Sequence, residues 1–272
     1  MKADSTSTDH ESTGTFGSSF ATLGRTASLA ASALRHLVTD AVRWRLPARD
    51  VIQQAWFLYT VTAFPALLMA IPFGVIVNLQ IGGLLNDVGA QSMTGAAAGI
   101  GILRQGAPIC AALLMGGAAA SAIASDMATR SVREEIDAMR VLGIDPVQRL
   151  VVPRLLAMFI VAPMILATVI LVGIGSAYMV AVTFGNVSPG SFWSSFGTYA
   201  TITDLIFALV KVSVSGLLIV IISSLRGMET RGGPREVAES VNAAVVLSIV
   251  ASVFTVLALT QVQNIFAAGP SA

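Results

Sequence analysis

Five apolar runs organise the chain. Residues 55–79, 107–124, 150–184, 202–225 and 241–267 are each long enough as helices to cross a ~30 Å hydrocarbon core. The first carries Pro65 and Pro72. The third is longer than one crossing needs, so it is expected to tilt or to project from the membrane. Between the first two runs lies 80–105, rich in Gly and Ala but holding Asn86, Asp87 and Arg104. That stretch is too polar to face lipid and too apolar for a loop, which predicts helical material packed against the bundle or re-entering the outer leaflet. Residues 185–199, with Pro189, Trp193 and Tyr199, read as an outer loop with an aromatic interfacial girdle. Ahead of the spans, Leu34, Leu37, Val38, Ala41 and Trp44 form a stripe over 25–46 that predicts an amphipathic interfacial helix ended by Pro47. Residues 1–24, rich in Ser, Thr and Gly, are expected to be a disordered cytoplasmic tail. The fold class is therefore an all-α polytopic membrane protein.

One polar run interrupts this pattern. From Ser131 to Pro146 the chain reads Ser-Val-Arg-Glu-Glu-Ile-Asp-Ala-Met-Arg-Val-Leu-Gly-Ile-Asp-Pro. Ser131 with Glu134 has the spacing of a capping box, Gly143 suits a left-handed C-terminal cap, and Pro146 stops continuation. A helix of ~16 Å follows if residues 132–142 are all helical. Val132, Ile136 and Met139 share one stripe, and Arg133, Glu134, Asp137 and Arg140 face the other way. Such a helix, outside the bilayer between spans two and three, offers a partner both an apolar and a charged face.

Composition agrees with the pattern: of 272 residues 55% are hydrophobic and 11% charged, with a mean hydropathy of +0.79. The single cysteine, Cys110, excludes an internal disulfide. His10 and His36 are the only histidines, which leaves no His/Cys metal set. There is no Walker A loop, so the chain is not itself a P-loop ATPase. Nothing in the pattern points to nucleic acid. Arginine placement sets the expected orientation. Arg25, Arg35, Arg43, Arg45 and Arg49 precede span one, Arg130, Arg133, Arg140, Arg149 and Arg154 fall between spans two and three, and Arg226, Arg231 and Arg235 between four and five. The positive-inside rule then makes the N-terminus cytoplasmic and, after five spans, the C-terminus extracytoplasmic.

The run Glu134-Glu135-Ile136-Asp137-Ala138-Met139-Arg140, closing on Gly143, Asp145 and Pro146 and followed by Val152-Pro153-Arg154, resembles the cytoplasmic coupling loop of the MlaE/YrbE permeases of Mce-type ABC lipid transporters. The likeness extends over 44–266. Leu103-Arg104 to Pro108 opens span two as in that family, Lys211 matches a lysine of its fourth span, and Arg231-Gly232-Gly233-Pro234 resembles the entry to span five of its actinobacterial branch. Gln105 and Ala118 depart from it, standing where a glutamate and an arginine are usual. The resemblance implies a permease domain over 47–272 in the inner or plasma membrane, with residues 132–146 as the coupling helix. It also implies a cytosolic ABC ATPase that binds ATP and Mg and supplies the nucleotide chemistry, a second permease expected to be a paralogue, extracytoplasmic MCE-domain proteins and a lipid substrate of the fatty acid, sterol or phospholipid class. No cofactor is expected on this chain. Val132, Ile136 and Met139 are expected to provide most of the burial against the ATPase.

Ionisable groups within spans are costly and draw attention. Lys211 has Asp204 seven residues before it on the same helical face, and Arg104 has Asp87 nearby in the sequence. Lys211 either meets a lipid headgroup on the transport path or belongs to a structural pair; Arg104 carries the same two alternatives. Met69 and Met115 are candidates for a flexible lipid-lining surface, with ordinary core packing as the alternative. A stand-alone secondary lipid carrier is the competing function. Such a carrier is expected to show internal repeats and paired mid-membrane charges, which the sequence does not display.

Overall fold

The structure, a computed structural model, describes residues 48–267 and the single position Arg35. The expected tail and, Arg35 apart, the expected interfacial helix lie outside the described residues. Five long helices carry the architecture: α1 (Ala48–Asp87), α2 (Gln91–Val132), α4 (Val147–Thr183), α6 (Ile202–Met228) and α7 (Pro234–Ala267). Each is long and apolar enough to cross a membrane. Two short helices join them: α3 (Glu135–Val141) and α5 (Pro189–Tyr199).

Helix-compatible residues extend past the apolar cores, so the spans are longer than the apolar runs alone suggest. The Gly/Ala-rich stretch over 80–105 is helical apart from a short turn, dividing between the end of α1 and the start of α2. Within α2 the helix widens into π-type turns at Gly99–Gly106 and Met115–Ala119. The expected outer loop at 185–199 is largely helix. Ser188 caps α5 by accepting from the Ser191 amide at 3.2 Å, and Pro189 fits the first turn, where an amide hydrogen would have no partner. The aromatic residues of α5 form a cluster: Phe192 and Trp193 meet Tyr178 of α4 and each other, and Phe196 meets Trp193, at centroid separations of 5.3–5.7 Å.

Small residues set the packing. At Gly74 in α1 a Cβ would overlap the Gly173 carbonyl and the Ser176 hydroxyl of α4, and at Gly95 in α2 it would overlap the Phe192 carbonyl of α5. Only glycine allows backbones this close, and close approach is what holds helices together where lipid is as apolar as the side chains. Among the spans α2 is the most enclosed, 61% of its most apolar stretch being buried against 22% for α1 and 28% for α7. The outer helices leave residues such as Trp56, Phe64, Leu68 and Phe254 exposed, which suits a hydrocarbon surround.

Candidate functional site

Two polar assemblies stand out from this apolar frame. The first joins α2, α6 and α7 around Lys211, whose side chain has no exposed surface. Lys211 does not pair directly with Asp204. Its Nζ donates to Gln263 Oε1 at 2.5 Å and to the Arg104 carbonyl at 3.1 Å, while Gln263 Nε2 donates to Asp204 Oδ1 at 2.8 Å. Gln263 thus bridges the two charges. Arg104 finds Asp204 at 3.0 Å rather than its sequence neighbour Asp87. Thr201, the N-cap of α6, donates to Asp204 Oδ2 at 2.8 Å and accepts the Asp204 amide at 3.3 Å.

The Arg104 carbonyl is open to Lys211 for a local reason. Arg104 lies in the π-type segment that ends at Gly106, just before Pro108, which brings no amide to the helix ladder. The cluster holds two cations and one carboxylate, a net charge of one positive. Of these charges Arg104 has the most exposed side chain, 29% against 11% for Asp204. Met115 is fully buried and Met69 partly buried, both within the general apolar core.

The second assembly lies where α2 passes into α3. Here the expected capping box is not formed. The Ser131 hydroxyl donates to the Met228 and Thr230 carbonyls at 3.2 and 2.8 Å, holding the end of α2 against the end of α6. Helix α2 runs on through Val132, and the chain turns at Glu134, whose φ of 59° is left-handed, so α3 begins only at Glu135. The C-terminal expectation holds: Gly143 has φ 74°, its amide donates to the Arg140 carbonyl, and the Ile144 amide donates to the Met139 carbonyl. Those two bonds make a Schellman cap. Asp145 Oδ1 then accepts the Val147 amide at 2.9 Å, just past Pro146, where α4 starts.

A charged chain ties α3 to the spans. Glu135 meets Arg130 at 3.5 Å, Arg130 meets Asp126 at 3.3 Å, and Asp126 forms a close ion pair with Arg154 of α4, whose side chain is only 3% exposed. Asp126 carried a usable signal in the sequence, being four residues before Arg130 on one helical face. Gln263 gave little signal, as a neutral amide near the end of an apolar run.

The apolar surface of α3 is not the one its periodicity suggests. Ile136 is buried within the chain and Val132 and Met139 are half-buried, so this stripe seats α3 on its own bundle. What α3 and its cap expose is Val141, Leu142 and Ile144, at 87%, 73% and 45%. Arg133, Asp137, Ala138 and Arg140 are also exposed, and Asp137 and Arg140 pair with each other at 2.8 Å. Beside α3 lies an open cleft of about 1360 Å³, walled by Glu134, Asp137 and Arg140 on one side and Arg226, Glu229 and Glu236 on the other.

An all-helical frame of five candidate spans with an internal charge cluster and a short helix displayed at one end defines, over the described residues, a polytopic membrane protein. The chain belongs to the MlaE permease family, whose model matches residues 51–262. It is 28% identical to a probable ABC transporter permease protein of Synechocystis over 76% of this chain and 79% of that protein. It is 26% identical to the chloroplastic protein TRIGALACTOSYLDIACYLGLYCEROL 1 of Arabidopsis thaliana, over 82% of this chain and 62% of that one. With the intermembrane phospholipid transport system permease protein MlaE of Haemophilus influenzae it shares 30% identity over 47% of this chain and 49% of that one.

Proposed function

We propose that the chain is the membrane permease of an Mce-class ABC lipid transporter, driven by a separate cytosolic ATPase through α3. The observation that carries this reading is the apolar tip Val141, Leu142 and Ile144, presented beyond the spans on a helix that Glu135 ties to Arg130 of α2, whose end is in turn held to α4 through Asp126 and Arg154 and to the end of α6 through Ser131. Exposed apolar groups on a rigid mount are what a partner's groove buries, while the Asp137 and Arg140 charges beside them fix register. Support comes from the family and from the names of the relatives, which describe ABC permeases and, in one case, phospholipid transport. In this reading ATP and Mg stay on the ATPase, a second permease subunit pairs with this one, and an MCE-domain protein receives or delivers the lipid outside. Arg104, the cluster cation with exposed surface, is where a lipid headgroup would meet the bundle.

The arginine distribution supports a cytoplasmic α3 and an extracytoplasmic α5. In a chain with Cys110→Ala, Arg235→Cys is expected to be shielded from an impermeant thiol reagent in intact cells and Gly190→Cys to be labelled; the opposite pattern overturns the orientation. The coupling role is tested by Val141→Asp with Leu142→Asp. Neither side chain is packed in the fold, so the amount of protein in the membrane should be normal while co-purifying ATPase falls by about tenfold or more, the loss of two buried apolar contacts. Full ATPase retention by that variant removes α3 as the coupling element.

A further inference from the structure

At the end of the bundle opposite α3, the ends of α1 and α4 and the start of α2 enclose a small pocket of about 180 Å³. Asn78 of α1 lines it. The residue is only 6% exposed, and its Oδ1 has no hydrogen-bond partner. Among its polar neighbours, Thr94 donates to the Gln91 carbonyl at 2.8 Å, and the Gln91 side chain donates to Asn86 Oδ1. One buried acceptor beside the cavity is therefore left without a partner, enclosed by the protein in this conformation, and an orphan of this kind is rare in a folded chain.

Three features define what would fill it. No side chain lining the pocket is ionisable; Asn78, Asn86, Gln91, Thr94 and Asn186 supply only amides and a hydroxyl, so a charged headgroup would enter without a counter-charge. A hydroxyl both donates and accepts, which suits amide groups whichever way they are turned. The volume equals roughly six waters at ~30 Å³ each, too small for a whole lipid and sufficient for a compact headgroup. The walls include Leu79 and Phe184, exposed at 57% and 78%, which leave an apolar way out for hydrocarbon tails.

We propose that this pocket binds the neutral polyol headgroup of a membrane lipid, a turn of the Asn78 amide toward the cavity bringing its oxygen to accept from a lipid hydroxyl. The site is separate from α3 and from the Lys211 cluster, so it stands whether or not the coupling reading does. Glycerol-type hydroxyls could arrive on a lipid or as a free polyol, and the two are separable.

The test uses the full chain, in the assembly in which it purifies, placed in lipid nanodiscs. The probe is diacylglycerol carrying a photoreactive diazirine close to its glycerol end; phosphatidic acid with the same chains and diazirine is the charged control. Diacylglycerol is expected to label peptides spanning 78–94 and 180–187, with much weaker labelling by phosphatidic acid and little competition from excess free glycerol. Asn78→Leu should cut that labelling about tenfold, as loss of a buried hydrogen bond does. Should that variant misfold, Gly82→Ala serves instead: its Cβ would meet Asn78 Oδ1 at 3.5 Å and Thr94 Cγ2 at 3.6 Å, ordinary contacts that leave the fold intact while narrowing the pocket. It should lower labelling severalfold. The proposal is overturned if these peptides are not labelled, the outcome if water alone meets Asn78. It is equally overturned if phosphatidic acid labels them as well as diacylglycerol does, if free glycerol abolishes labelling, or if labelling is unchanged in both variants.

Discussion

Lys211 and Arg140 are both cations in a chain that avoids charge, yet Lys211 has no exposed surface and the Arg140 side chain is 60% exposed. Around Lys211 each hydrogen bond runs to another helix of the same chain, to Gln263 on α7 and to the Arg104 carbonyl on α2. Around α3 the inner charges are used for anchoring, Glu135 to Arg130 and Asp126 to Arg154. Arg140 pairs only weakly on its own helix, since an exposed bond of this kind contributes ~0.5 kcal/mol. Burial separates the two regions: the first spends its charge on holding three spans in register, the second leaves charge and apolar surface available outside. The position of a charge along the chain does not reveal which it does; its neighbours on other helices do.

The sharpest way to break the comparison is to unbalance the buried cluster. Asp204→Asn leaves two cations and no carboxylate, a net charge of two positive, and should destabilise the fold by ~3–5 kcal/mol, read as a large drop in thermal midpoint in detergent. Lys211→Met leaves Arg104 and Asp204 as a balanced pair and should cost less, although Gln263 Oε1 and the Arg104 carbonyl then lose a donor. If Lys211→Met proves the more damaging, charge balance is not what the cluster provides. At the other region effects are smaller and local. Gly143→Val forces a branched side chain into φ 74° and should cost ~1–2 kcal/mol, with weaker ATPase retention because the Schellman cap aims α3. Smallest is Glu134→Gly, which relieves a left-handed non-glycine residue and should gain up to ~1 kcal/mol. A clear loss there would mean that the Glu134 side chain is needed in the cleft it lines.

Much of the fold was legible because a span needs only length and apolarity, both printed in the residues. The Gly143 cap was legible too, since few residues tolerate its conformation. The capping box failed because Ser131 has a better use: its hydroxyl reaches two carbonyls at the end of α6, nearly a hundred residues away, which no local pattern records. The Arg104 partner was misassigned for the same reason, Asp87 being near in sequence and Asp204 near in space. Helix α5 was written in Ser188-Pro189, a cap followed by a first-turn proline, but its apolar residues do not make a span and the stretch read as loop. The α3 stripe was correctly periodic and wrongly addressed. Periodicity shows which residues share a face, and only tertiary structure shows that the face belongs to the bundle.

The bridge through Gln263 also bears on how the protein is made. A ribosome delivers α6 to the membrane with Lys211 and Asp204 aboard, each an expense for an isolated helix of ~2.5–3.5 kcal/mol near its centre and less toward its end. Arg104 on α2 has by then been made, with its side chain for Asp204 and its carbonyl for the lysine. The amide that joins the two charges is 52 residues further along than Lys211. Until synthesis has passed Gln263 the cluster cannot close, so a chain stalled between α6 and α7 presents an uncovered lysine within the bilayer, a mark by which membrane quality control could distinguish the unfinished protein from the finished one.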